Sequence, residues 1–277
     1  MITVFRYSLR RLRGQVLGWG IGLALLGVLL VSMWDSFAID QEQFENLLDV
    51  YPAEIIEFFG DFGNMFSSPE GFLSIEFFSY MPLILGIFAV LMGSGLLVSD
   101  EESGMLDLIL AHPVSRTALF LGRLLALVVA TVVIVAIAWL GLMVPTIWSS
   151  ADLGWGRVWL PLISLLAEML VFCTISLLLS MFLPSRRMAA TTGGLLLVAS
   201  FFITGLANIN KDLETIAKLS PLTYYQTQDA FDGLNPTWLA GLLAVAAVCT
   251  VVAWWRFQRR DIRVGGEGGW RLPWRRA

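Results

Sequence analysis

The sequence predicts an all-α, polytopic membrane protein with six transmembrane helices. Three observations carry this. Six apolar runs are each long enough to cross a bilayer, which takes roughly 20 residues rising about 1.5 Å apiece. The chain has 277 residues, 57% of them hydrophobic and 14% charged, with a mean hydropathy of +0.75. That is too little charge for the polar skin of a soluble protein this long. The basic residues are also sorted by side. With the N-terminus placed in the cytoplasm, all of the 18 Lys and Arg except Arg157, Lys211 and Lys218 fall on the cytoplasmic side. The positive-inside rule then puts both termini in the cytoplasm and requires an even number of spans. Residues 1–263 read as a single six-span domain and residues 264–277 as a flexible, glycine-rich tail.

Met1 to Arg13 mixes Arg6, Arg10, Arg11 and Arg13 with Val4, Phe5, Tyr7, Leu9 and Leu12. That composition suits an amphipathic helix lying along the inner surface. The first apolar run, about 15–34, is long for a signal peptide and no small-residue cleavage site follows, so it reads as the first span. Gly18 and Gly22 form a GxxxG on it, a pattern associated with close helix packing. Asp35 to about Ser74 is expected outside and carries nine acids from Asp35 to Glu70 with no basic residue. Within it Phe44, Leu47, Leu48 and Tyr51, then Ile55, Ile56 and Phe59, follow helical spacing. Two amphipathic helices broken at Pro52 are expected. The acids read as a solvated face, with attraction of a cationic substrate as the alternative.

The second span is expected at 77–98, where Pro82, Gly86, Gly93 and Gly95 allow a bend and close approach. The third, 122–147, begins beside Arg123, placed to snorkel to the headgroups. Trp148, Trp155 and Trp159 mark the outer interface. The fourth span, 158–183, holds the one ionisable group well inside the hydrocarbon, Glu168, at roughly 15 Å depth. A charge there costs on the order of 2.5–3.5 kcal/mol by insertion scales. Two readings stay open: a protonatable or substrate-contacting group, or a protonated carboxyl bonded to a neighbouring Ser or Thr. A tight inner turn at Leu183–Arg187 leads to the fifth span, 188–206. Leu219–Tyr225 and Asp229–Phe231 read as short outer helical pieces with aromatic anchors, and the sixth span, 237–255, ends in Trp254, Trp255 and Arg256. Cys173 and Cys249 lie within apolar runs and read as structural thiols.

The polar interruption after the second span, Ser99–Arg116, is the most informative stretch. It opens with Asp100, Glu101, Glu102 and Gly104 and closes with Pro113-Val114-Ser115-Arg116. Between them Met105, Ile109 and His112 share one side of a short helix, with Leu106, Leu110 and Pro113 beside it. A simple connector between spans would not need this much apolar surface on the water side. The segment reads as a small docking helix for a cytoplasmic partner.

The chain has no GxxxxGK(S/T) sequence, so a Walker A phosphate loop is excluded. Its single histidine, His112, lies in that cytoplasmic segment, which excludes a His-pair zinc motif and an intramembrane Ser-His dyad. No catalytic residue, cofactor, metal site or nucleic-acid partner is expected, and the chain is not expected to be an enzyme.

The run Glu102-Ser103-Gly104-Met105-Leu106-Asp107-Leu108-Ile109-Leu110-Ala111-His112-Pro113-Val114-Ser115-Arg116, set after the second of six spans, resembles the permease subunit of ABC exporters of the drug, polysaccharide and lipid class, the type V exporter fold. That family usually has Thr where this chain has Met105 and Glu where it has Asp107; neither change removes the helix or its turn. Leu219-Ser220-Pro221 and Arg259-Arg260-Asp261 are also similar to the family, and the similarity is weakest over Asp35–Ser74. The resemblance implies an elbow helix at Met1–Arg13, a coupling helix at Gly104–Ala111 and small outer helices before the sixth span. It also implies a homo- or heterodimer of permeases, in contact with membrane lipid and bound to two separate ATPase subunits. On that reading Gly104 turns the chain into the coupling helix, and Leu106, Ile109, Leu110 and Pro113 belong to the ATPase-coupling surface. Glu101, Glu102 and Arg116 sit at the ATPase contact or brace it. The expected function is an exporter permease of the plasma (inner) membrane driven by ATP hydrolysed on a partner. The rivals are an ion-coupled secondary transporter with Glu168 as its proton site, and a non-transporting assembly factor.

Overall fold

The structure, a computed structural model, describes residues 1–39, Glu54, Phe58 and 68–261. The two amphipathic helices expected between Asp35 and Ser74 lie mostly outside the described residues, as does the tail over 264–277. The described residues are helical and contain no strand, and six helices among them are long and apolar enough to cross a membrane.

Helix α1 runs unbroken from Ile2 to Ile39. The expected elbow helix at Met1–Arg13 is therefore not a separate element here but the first part of α1. No proline interrupts this stretch, and α1 lies parallel to α6 (Arg116–Met143) along its length. Val4 meets Gly122 at one end of the seam, and Asp35 accepts from the Ser150 amide at 2.7 Å at the other.

The second span begins earlier than expected. Ser68 caps α2 (Pro69–Leu73), its hydroxyl accepting from the Gly71 amide at 3.0 Å. Glu70, taken as an exterior acid, sits in the first turn of that helix, where a negative charge is favoured. It faces Arg157 at 3.5 Å. A π-helical turn over Ser74–Phe78 joins α2 to α3 (Met81–Gly95). Pro82 has no N–H to offer the Phe78 carbonyl four residues before it. The Tyr225 hydroxyl supplies the missing donor at 3.0 Å, so a residue from the segment before the last span completes the backbone bonding of the second span. Burial, with the Glu168 carboxylate adding to it, pushes the Tyr225 phenol well above its ordinary value, which keeps it a donor.

After α3 come α4 (Val98–Glu102), α5 (Met105–Leu110), α6, α7 (Trp159–Phe182), α8 (Arg186–Ile209), α9 (Glu214–Ala217) and α10 (Pro236–Arg259). Between α9 and α10 the expected outer pieces appear as 3₁₀ turns at Pro221–Tyr224 and Gln228–Phe231. Ser220 anchors the first of them, its hydroxyl accepting from Thr204 of α8 at 3.0 Å. Trp159 stacks on Trp139, ring centroids 5.0 Å apart, where α6 ends and α7 begins.

Helix α7 is the hub, packed by α3, α8 and α10 and touched by α6. Lipid and side chains are equally apolar, so helices in a membrane gain by close backbone approach rather than by hiding from water. The glycines show where that happens. A Cβ at Gly93 of α3 would overlap the Cys173 carbonyl of α7, and one at Gly141 of α6 would overlap the Ala24 backbone of α1. Gly18 and Gly22, the GxxxG pair of the sequence, meet nothing within 4 Å. That pair is not an intrachain packing seam.

Candidate functional site: the short helix between two spans and its charge network

Gly104 is the turning point of the segment between the second and third spans. Its φ of 71° is the one positive φ among the described residues, a conformation that costs a residue with a Cβ about 1–2 kcal/mol. It redirects the chain from α4 into α5. At the far end Ser115 starts α6, its hydroxyl accepting from the Ala118 amide at 3.1 Å. His112 lies within hydrogen-bond distance of the Leu108 carbonyl, at 3.0 Å.

The faces of α5 divide differently from the sequence reading. Leu106 is 1% exposed and packs with Leu97, Val98, Phe120, Met181 and Phe257. Ile109 and Leu110 are half-buried against the same cluster. The apolar surface left outward is Met105 and Leu108, the latter 61% exposed, with Asp107, His112 and Pro113 around it. Three of the residues expected on the docking surface therefore root the helix in its own protein. Met105, His112 and Pro113 lie outward as the docking reading has them, whereas Leu108 is not among its residues, because a six-residue helix gives too short a periodicity to tell which stripe faces in.

The acids beside α5 are also turned inward. Asp100 is buried and bridges two cations, Arg123 of α6 at 2.5 Å and Arg11 of α1 at 2.7 Å. Arg123, expected to snorkel to headgroups, is buried in this pair and also donates to the Leu96 carbonyl at 2.9 Å. Glu101 is buried against Arg260, just beyond α10. Glu102 accepts from the Arg186 amide at the start of α8 at 2.7 Å. Arg116 donates to the carbonyls of Phe257, Gln258 and Arg260 at 3.2, 3.3 and 2.7 Å, closing the open carbonyl end of α10. The three residues Asp100–Glu102, together with Arg116, thus join α1, α6, α8 and α10 at one end of the bundle. Asp100, Arg11, Arg123 and Arg260 complete a network of which the sequence reading singled out only Glu101, Glu102 and Arg116. Three consecutive acids were a signal, but their partners lie from 23 to 159 residues away.

Glu168 lies nine residues into α7 from Trp159, about 14 Å along the axis. It is 1% exposed, and among the described residues neither carboxylate oxygen meets a hydrogen-bond partner. Among the described residues no Ser or Thr hydroxyl reaches it. Ser164, one turn before it, accepts instead from the Gln226 amide at 2.9 Å. Among the described residues no group of His, Cys, Asp and Glu could hold a metal ion.

Comparison with known families supplies what geometry alone does not. The model of the ABC-2 family transporter proteins matches residues 12–262, which takes in most of α1, the other five spans, the short helix α5 and every member of the charge network except Arg11. The chain belongs to that family. No curated protein matches it. As an ABC-2 family transporter protein it is a multi-pass membrane permease subunit of an ABC transporter, and a permease of this family implies an ABC ATPase partner. The family match places the polar interruption and its acids inside the shared ABC-2 domain, and it leaves out only the first 11 residues and the last 15.

Proposed function

We propose that this permease is the membrane-spanning part of an ATP-driven exporter of the plasma (inner) membrane. Both termini are cytoplasmic, and two permeases, alike or different, sit on two ATPase subunits. The observation that carries the coupling role is the pairing of an outward apolar face on α5, Met105 and Leu108, with an inward network that ties its base to four other helices. A push on such a helix is passed on as a rigid-body movement rather than absorbed by a loop. Gly104 sets the angle of α5, and Leu106, Ile109 and Leu110 hold it down. Glu101, Glu102 and Arg116 brace the platform rather than touch the ATPase, and Pro113 lies at the rim of the contact. Export as the direction rests on the resemblance to exporter permeases.

The test is Leu108→Asp. It puts a charge on the exposed face without touching the core, and weakens ATPase co-purification by about thirtyfold, the size of a typical interface hot spot. Membrane insertion and yield stay normal. Unchanged co-purification would remove the docking role. Leu106→Asp would not serve, because it disrupts the buried cluster under the helix.

Glu168 is the second functional element, a carboxyl at mid-depth that contacts substrate or exchanges a proton as the bundle moves. The absence of a hydrogen-bond partner for it among the described residues is the supporting observation, and it is also what favours an ion-coupled carrier. Glu168→Leu removes a buried polar group without a hydrogen bond, so it raises stability by about 1–3 kcal/mol while lowering transport. A variant that is stabilised and fully active would make the carboxyl dispensable. ATP-dependent transport in vesicles holding both subunits, set against transport driven by an ion gradient alone, separates exporter from carrier.

A further inference from the structure

A groove between α1 and α3 is basic at its inner end and apolar above. The inner part is a cavity of about 240 Å³ lined by Arg11, Arg123 and Arg186 together with Tyr7, Ser8 and Ser99. Among the described residues Asp100 is the one carboxylate paired with these arginines, which leaves the pocket with an excess of positive charge. The Arg186 guanidinium lies against Gly95 and has no carboxylate partner among the described residues, since Glu102 is bound by the Arg186 backbone amide. Arg11, though paired, keeps 56% of its side chain exposed.

Gln15 lines both this pocket and a second one above it, of about 470 Å³, walled by Gly14, Gly18 and Gly22 of α1 and by Met81 and Ile84 of α3. The apolar part runs from Gly14 to Leu26, about 18 Å along a helix. That is close to the roughly 15 Å hydrocarbon depth of one leaflet.

We propose that this groove binds an anionic phospholipid of the cytoplasmic leaflet, with its phosphate between Arg186 and Arg11 and an acyl chain along Gly14, Gly18 and Gly22. The charge argues for this occupant over another copy of the chain. A two-fold related copy would bring the same arginines to face these, whereas a lipid phosphate neutralises them. Basic pockets between spans on the cytoplasmic side are suited to acidic headgroups. Cytoplasmic is taken here from the orientation proposed above; the groove itself does not depend on it.

The experiment uses the full chain in nanodiscs of phosphatidylcholine with and without phosphatidylglycerol, then measures lipid retained per chain after detergent extraction. Phosphatidylglycerol is retained in preference to phosphatidylcholine, and Arg186→Gln lowers that retention about fivefold, the effect of one arginine near an anionic lipid. Gly18→Leu, which meets no atom within 4 Å at its Cβ, fills the apolar part and lowers retention while the protein stays folded. Equal retention of the two lipids, or no effect of Arg186→Gln, overturns the proposal. So does full displacement of the lipid by millimolar inorganic phosphate, which would make this a site for free phosphate. Loss of chain-to-chain crosslinking in Gly18→Leu with lipid retention unchanged would assign the groove to a second copy. A cysteine introduced at Ser8 and labelled from one side of intact cells reports the orientation separately. External labelling would refute the cytoplasmic assignment and leave the retention result standing.

Discussion

Replacing Asp100 with Ala is expected to destabilise the protein by about 3–5 kcal/mol, the cost of stranding a buried charge. Asp100 is 4% exposed, and its nearer partner, Arg123, keeps only 6% of its side chain exposed. Without the carboxylate the Arg123 guanidinium retains the Leu96 carbonyl but loses the charge that compensates it. Arg11→Ala removes the other, mostly exposed arm of the bridge and costs far less, about 0–1 kcal/mol. Thermal unfolding in detergent separates the two, with a large fall in midpoint for Asp100→Ala and a small one for Arg11→Ala. The double substitution Asp100→Leu with Arg123→Met recovers much of the loss, since a buried pair is readily replaced by apolar side chains of similar volume. An Asp100→Ala protein that unfolds at the native midpoint would show that the network does not hold these ends of α1, α4 and α6 together. The recovered double variant also isolates coupling from stability. If rigid attachment of α4 transmits the ATPase movement, it folds well and transports poorly.

Gly93→Leu is expected to have the other large effect, at least the roughly 1–3 kcal/mol of an overpacked core. The added Cβ alone would overlap the backbone of Cys173, and backbone cannot rotate aside as a side chain does. Relief requires α3 to move off α7, the most contacted helix of the bundle. Monodisperse yield in detergent and the unfolding midpoint both fall. Gly18→Ala is the control: it meets nothing and replaces a poor helix former with a good one, so its midpoint holds or rises. Equal behaviour of the two variants would mean that the α3–α7 seam is not packed as described.

Much of this molecule is legible in the chain itself. The runs that became α3, α6, α7, α8 and α10 are recognisable because a hydrocarbon slab imposes one length and one polarity on whatever crosses it. Ser68, Ser115 and Ser185 each cap the helix that follows, although the apolar runs alone placed the first two starts too late. The segment after the second span stands out because its apolar residues lie among acids, and its likeness to ABC permeases agrees with the family to which the chain belongs. Local pattern misled where two arrangements share one pattern. Gly18 and Gly22 have the spacing of a packing motif, but Gly93 and Gly141, with no such spacing, sit at the crossings. Arg123 at a span's inner end looks like a snorkelling side chain until Asp100 is seen beside it.

From its sequence alone the protein was determined to be a six-span membrane bundle with a polar, partly apolar segment after the second span, because hydropathy acts on each stretch independently of every other. Only the tertiary structure decided which face of α5 looks outward, that Tyr225 completes the backbone beside Pro82, and that the acids after the second span tie together four helices. These depend on groups as far as 159 residues apart meeting where helix packing buries them, and a buried charge must find its partner wherever that packing brings one.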